Sequence, residues 1–168
     1  MSRNFEHISD AQAYIDNVER VSLPERATTG SAGYDILSTE DFTLMPGEDI
    51  LIPTGLKAYM QPDEFLMVLP RSGHGFKFYV RLANTAGIID SDYYGNSKNE
   101  GHIWIKIRNE SSENLIKRVI NKILNRDKKT LVVKRGEAVC QGIFQKFLLT
   151  ENDNSHATRE GGFGSTGK

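Results

Sequence analysis

The chain has 168 residues, 38% of them hydrophobic, a single cysteine, and 21 basic against 22 acidic side chains for a net charge of −1. A chain of this size buries roughly 70% of its unfolded surface, so it needs no disulfide or metal to hold a core. Balanced charge excludes an electrostatic footprint for duplex nucleic acid or an anionic membrane. No apolar run reaches transmembrane length and the N-terminus lacks a signal-peptide core, so a reducing cytoplasm is the expected compartment.

In chain order, Ser9, Asp10, Ala11 and Gln12 form a capping box, and Ile8, Ala11, Tyr14, Ile15 and Val18 recur at helical spacing. This predicts a short N-terminal helix to about Arg20. From Tyr34 to Leu149 the pattern is one of short strands: Tyr34–Leu37, Ile50–Ile52, Leu56–Met60, Phe65–Leu69, Phe78–Leu82, Ile103–Ile107, Leu131–Val133 and Val139–Leu148. Turns such as Met45-Pro46-Gly47-Glu48 and Gln61-Pro62-Asp63-Glu64 divide them. Many short strands without intervening helices point to an all-β sandwich or jelly roll. Cys140 falls inside an apolar strand and reads as a packing residue. One segment breaks the rule: over residues 111–126, Leu115, Ile116, Val119, Ile120, Ile123 and Leu124 share one stripe, with Lys117, Arg118, Lys122 and Arg126 mostly opposite. It is an inserted amphipathic basic helix, suited to packing on its own domain or to a protein partner. The expected organisation is one domain over residues 1–149 and a flexible arm over 150–168.

Five blocks carry chemistry. Ala32-Gly33-Tyr34-Asp35-Ile36 sets one carboxylate at the opening of a strand. Pro70-Arg71-Ser72-Gly73-His74-Gly75 supplies a guanidinium, a hydroxyl and glycines, which suits phosphate oxygens. From Asn84 to Tyr93 an amide, a carboxylate and a phenol are spaced as on a hairpin, where alternation sends Ile89 and Asp90 to opposite faces. Arg135 to Gln141 is a turn and strand that could aim Gln141 into a cleft. Finally, Arg159 to Lys168 combines an arginine, a lone aromatic, four glycines and two hydroxyls. Such a run lets backbone N–H groups close on an anion while the Phe163 ring covers a flat base. Its G-x-x-x-x-G-K spacing imitates a P-loop, but that motif needs a hydroxyl residue and a helix after the lysine.

Taken in order, these blocks resemble the five motifs of the trimeric deoxyuridine triphosphate nucleotidohydrolases (dUTPases), over most of Ala27 to Lys168. The resemblance implies an all-β jelly-roll barrel of the β-clip type, a homotrimer with shared active sites, Mg²⁺, and hydrolysis of dUTP to dUMP and pyrophosphate. It implies Asp90 as the residue that deprotonates the attacking water, and Asp35 as the carboxylate that steadies the hydrated metal. Arg71, Ser72, Gly73 and Gln141 would hold phosphates and water. Tyr93 would stack on the deoxyribose, and Asn84 with the backbone around Gly87 and Ile89 would read the uracil. Arg159, Phe163, Gly164, Ser165 and Thr166 would close over the nucleotide as a lid. The stretch Gly95–Gly101 and the inserted helix depart from the common family pattern. Two other readings are a dCTP deaminase or bifunctional relative, against which Ile89-Asp90-Ser91-Asp92-Tyr93 fits the hydrolase form, and a binding module for a regulatory protein acting through the inserted helix.

Overall fold

Short runs of alternating apolar and polar residues become strands whose inward side chains share one core. The computed structural model describes residues 2–111, 119–120 and 129–156. Its strands are β1 (Asn4–His7), β2 (Tyr34–Leu37), β3 (Phe42–Leu44), β4 (Asp49–Pro53), β5 (Leu56–Tyr59), β6 (Glu64–Pro70), β7 (Val80–Leu82), β8 (Gly87–Asp90), β9 (Trp104–Asn109), β10 (Leu131–Val133) and β11 (Ala138–Lys146). Two helices, α1 (Asp10–Ile15) and α2 (Ser72–Phe78), and a 3-10 turn over Ser91–Tyr93 complete the described elements. Pairing is antiparallel, in sheets β1–β5, β10–β3, β4–β9–β7 and β2–β11–β6–β8. The expectation of a mostly β chain holds. A closed barrel does not: among the described residues the ladders stay in four separate sheets, which meet through side chains.

Ile36, Ile52, Leu66, Val68, Ile105, Ile107, Val139 and Cys140 belong to one buried cluster. Each such side chain contributes about 1.5–3 kcal/mol on burial, and a one-residue slip of β6 would turn Leu66 and Val68 outward, so the register of the central sheet is fixed by its core face. Burial also pushes the Cys140 thiol up to about 12, which removes the thiolate that reactivity needs and agrees with its reading as a packing residue.

Three elements differ from the sequence expectations. The N-terminal helix starts as its capping box predicts, with Gln12 N–H donating to Ser9 Oγ at 3.1 Å, but it ends at Ile15 instead of near Arg20. Asn17 adopts φ +53°, and the bonds from Asn17 N–H to Tyr14 O and from Val18 N–H to Ala13 O form a Schellman closure. Tyr14 and Ile15 consequently face solvent, and Ile8 and Ala13 carry the buried contact. Next, the glycine-containing block after Pro70 forms the helix α2, and the strand expected from Phe78 begins only at Val80. An aromatic pair one turn apart, His74 and Phe78 with centroids 6.5 Å apart, packs along α2, and Tyr79 closes it in the left-handed region at φ +54°. Finally, β7 and β8 lie in different sheets, so Asn84 occupies a cross-sheet turn rather than a paired hairpin, within the isolated bridge Leu82–Thr85. Strands β1 and β3 are not among the sequence candidates.

The expected inserted helix lies mostly outside the described residues. Within it, Val119 and Ile120 are helical and about half-exposed. Its root is tied by one buried side chain: Asn109 Nδ2 donates to the carbonyls of Leu44 and Lys129 at 3.0 and 2.8 Å, and its Oδ1 accepts from the N–H and hydroxyl of Ser111. Both ends of the insertion therefore leave from one fixed point, which keeps its closure cost low.

Candidate active site

Strand pairing gathers three of the five blocks at one end of the central sheet. Asp35 on β2 lies opposite Gln141 on β11, which in turn lies opposite Leu69 on β6. One residue beyond Pro70, Arg71 caps α2, and its Nη2 stands 4.0 Å from Asp35 Oδ2. A register shift in β11 between Ala138 and Cys140 buries three consecutive residues, Ala138, Val139 and Cys140. Such a bulge re-aims the residue that follows, and Gln141 lies against Gly33, where any Cβ would collide with its Oε1. Arg71 is 47% and Asp35 28% exposed, so guanidinium, carboxylate and amide meet at an open surface.

Ser72 and Gly73 open α2, where the first N–H groups of a helix have no partner within it. Gly73 has open space where a side chain would stand. His74 is half-buried, with its Nδ1 buried and without a hydrogen-bond partner among the described residues. Burial first, and then Arg71, hold it below the ordinary imidazole value, as suits a neutral packing ring. An open, mostly apolar cavity of about 420 Å³ adjoins Arg71 and Ser72 and is lined also by Phe76 and Tyr79. Neither aromatic stands among the candidate site residues that the sequence offers.

The third block sits elsewhere. On β8, Asp90 pairs with Phe65 and Gly87 with Val68, so Asp90 lies at the opposite end of β6 from Arg71. Asp35 and Asp90 are separated by four residues along the strands, about 13 Å, and by three strand spacings, about 14 Å. Alternation holds: Ile89 packs against the core while Ile88 is exposed, so Ile89 offers its backbone rather than its side chain to a ligand. At Gly87 a Cβ would come within 3.3 Å of Val68 Cβ, which explains the glycine by close strand packing. Asn84 is exposed in the turn before β8. Tyr93 is 6% exposed, and its hydroxyl donates to the His102 carbonyl at 2.9 Å. The residues that hold it, among them Asn96 and Asn99, were read in the sequence only as a lengthened segment. Arg159, Phe163, Gly164, Ser165 and Thr166 lie outside the described residues.

Comparison with known proteins places the chain in a family. The dUTPase family model matches residues 19–117. The deoxyuridine 5'-triphosphate nucleotidohydrolase of Lactococcus lactis is 42% identical over 149 residues, covering 88% of this chain and 89% of that protein. Among solved structures, the dUTPase of Streptococcus mutans is 36% identical with a TM-score of 0.66, over 89% of this chain and 99% of that one. A mutant dUTPase from phage phi11 of S. aureus, solved to show the coordination of a structural Mg(II) ion, is 19% identical with a TM-score of 0.62 over 94% and 98% of the two chains. At that identity it speaks for the fold alone.

Proposed function

The chain belongs to the dUTPase family and is a dUTP hydrolase, and on that premise we propose how its residues divide the work. Water attacks the α-phosphorus of dUTP, the bond to the bridging oxygen of the β-phosphate breaks, and dUMP and pyrophosphate leave. Asp90 orients that water and takes its proton. Gln141 holds the water, while Arg71, the Ser72 hydroxyl and the Gly73 N–H bind phosphate oxygens. Tyr93 lies against the sugar, and Asn84 with the backbone at Gly87 and Ile89 reads the uracil. The observation that carries this reading is the convergence of Asp35, Arg71 and Gln141 from three distant blocks.

A carboxylate is a weak base toward water, so proton transfer supplies about 10²–10⁴-fold. The remainder comes from charge neutralisation and alignment at the phosphates by Arg71 and backbone N–H groups. Among the described residues no group of three or more His, Cys, Asp or Glu gathers into a metal cage. A lone, partly exposed carboxylate fits an ion that keeps most of its waters and borrows phosphate oxygens. Asp35 would thus hold Mg²⁺ through water, and the bound ion would neutralise phosphate charge.

Because Asp90 and Arg71 stand at opposite ends of β6, one chain does not bring both to a single triphosphate. A homotrimer in which each site takes Asp35, Arg71 and Gln141 from one chain and Asp90 and Tyr93 from a neighbour resolves this. In this scheme residues 1–149 form one domain and residues 150–168 an arm whose Arg159, Phe163, Gly164, Ser165 and Thr166 close the site against bulk water. The enzyme works in the cytoplasm on free nucleotide. The test is pyrophosphate release from dUTP, dTTP, dCTP and UTP, with and without Mg²⁺. Release from dUTP alone, dependent on the metal, is expected; ammonia release from dCTP would instead indicate a deaminase.

A further inference from the structure

Tyr93 is fastened by residues to which the reaction above gives no part. Its hydroxyl donates to the His102 carbonyl at 2.9 Å and accepts from Asn99 Nδ2 at 2.8 Å, while its carbonyl accepts from Asn96 Nδ2 at 2.9 Å. The two asparagines brace each other: Asn96 Nδ2 donates to Asn99 Oδ1 at 2.8 Å, and Asn96 Oδ1 accepts from the N–H groups of Lys98 and Asn99. Asn99 Oδ1 also accepts from Gly101 N–H at 3.2 Å. Gly101, at φ +86°, is where the loop folds back, and a Cβ there would come within 2.7 Å of the Tyr93 carbonyl oxygen. Only glycine permits that approach.

The loop is also fixed from outside. Glu100 accepts from the N–H and the hydroxyl of Ser9, the residue that caps α1, and pairs with Lys57 at 3.3 Å. His102 is fully buried; its Nε2 accepts from Gly55 N–H at 2.9 Å and its Nδ1 meets Asp16 Oδ2 at 2.6 Å. Since Gly55 donates into Nε2, the ring proton resides on Nδ1 and points at Asp16. Helix α1 thus clamps both Glu100 and His102, and through them the two groups that hold the phenol.

We propose that Asn99 is a positioning residue that locks the Tyr93 ring against the sugar and thereby sets the preference for deoxyribose over ribose, with α1 as the clamp that holds its loop. This rests on the reading of Tyr93 given above. A nearly buried phenol bonded on both sides of its hydroxyl cannot tilt away to admit a 2′-OH. Removing one of those bonds frees the ring by about the net worth of one hydrogen bond, a change of about fivefold in selectivity.

The test compares kcat/KM for dUTP and UTP in the full-length enzyme, Asn99→Ala, Tyr93→Phe and the double variant. The expected result is that Asn99→Ala lowers the dUTP/UTP ratio about fivefold, chiefly by improving UTP, while kcat for dUTP stays within about twofold. In the Tyr93→Phe background the same substitution adds nothing, since its partner hydroxyl is gone. A purely structural loop would move Tm and leave the ratio alone. A native ratio in Asn99→Ala, or an equal further loss in the Tyr93→Phe background, would overturn the inference while leaving the Tyr93 reading intact. Should Asn99→Ala not fold, Tyr93→Phe, which removes both bonds of the hydroxyl, decides alone: a fall of at least about fivefold supports the lock and an unchanged ratio refutes it. A native enzyme that uses dUTP and UTP equally overturns the sugar reading of Tyr93 and this inference with it.

Discussion

At the Pro70 end of β6 the candidate side chains reach solvent, with Arg71 47% exposed and touching Asp35 only at 4.0 Å. At the Phe65 end Tyr93 is 6% exposed and is held through its hydroxyl and its carbonyl by neighbouring groups. The difference fits the part of the ligand that each end would meet. Triphosphate oxygens are bound by charge, which tolerates adjustable side chains and gains when a lid later excludes water. A sugar lacking one hydroxyl is distinguished only by shape, which demands a surface that does not yield.

Substitutions at the two ends should therefore fail differently. The largest effect is expected from Asp90→Asn, which keeps size and removes the basic lone pair: turnover should fall at least about 10²-fold with dUTP binding retained. Single-turnover kinetics beside equilibrium binding check this, and near-normal turnover would remove Asp90 from the proton transfer. Arg71→Ala at the open end should cost about 10- to 100-fold in kcat/KM, the worth of a charge-assisted hydrogen bond, with Tm little changed because the side chain is half in water. Tyr93→Ala should instead narrow the dUTP/UTP gap by about tenfold and also lower Tm, since it empties a buried position. Gly33→Ala sharpens the contrast: the new methyl displaces Gln141 from the open end, so kcat should fall by several-fold with Tm nearly unmoved. Thermal melts read beside initial rates separate the cases.

The smallest expected effect concerns pH. Burial, against the opposing pull of Asp16, lowers His102 below the ordinary imidazole value. The unfolded chain then binds this proton more readily than the folded one, so stability is full above about pH 6.5 and declines as pH falls below it. His102→Gln should flatten that part of the Tm profile, and an unchanged slope would show that the clamp does not titrate.

Much of this contrast could be read from the residues themselves. The strand candidates Tyr34–Leu37 and Leu131–Val133 match β2 and β10 because alternation and flanking turns agree there. The block Pro70–Gly75 stood out as a phosphate-binding candidate because arginine, serine and glycine declare their chemistry locally. The helical form of α2 was not, since glycines argue against a helix and tertiary packing overrides them. Nor was the fastening of Tyr93, which depends on bonds such as Ser9 to Glu100 and Asp16 to His102 that join residues 91 and 86 positions apart. No local pattern reports such a pairing. The shared site is intermediate: its members are visible as motifs, but only the strand register shows Asp90 and Arg71 at opposite ends of one strand.

That division of the site between chains is tested most directly by complementation. Arg71→Ala chains and Asp90→Asn chains, each weakly active alone, are unfolded together, refolded, and separated to isolate mixed trimers. If each site takes Arg71 from one chain and Asp90 from its neighbour, every mixed trimer contains one site with both native residues, and activity should return to about one-third of the native level. If both residues serve the same chain's site, no mixture contains an intact one. Verified mixed trimers no more active than their parents would then contradict the shared site.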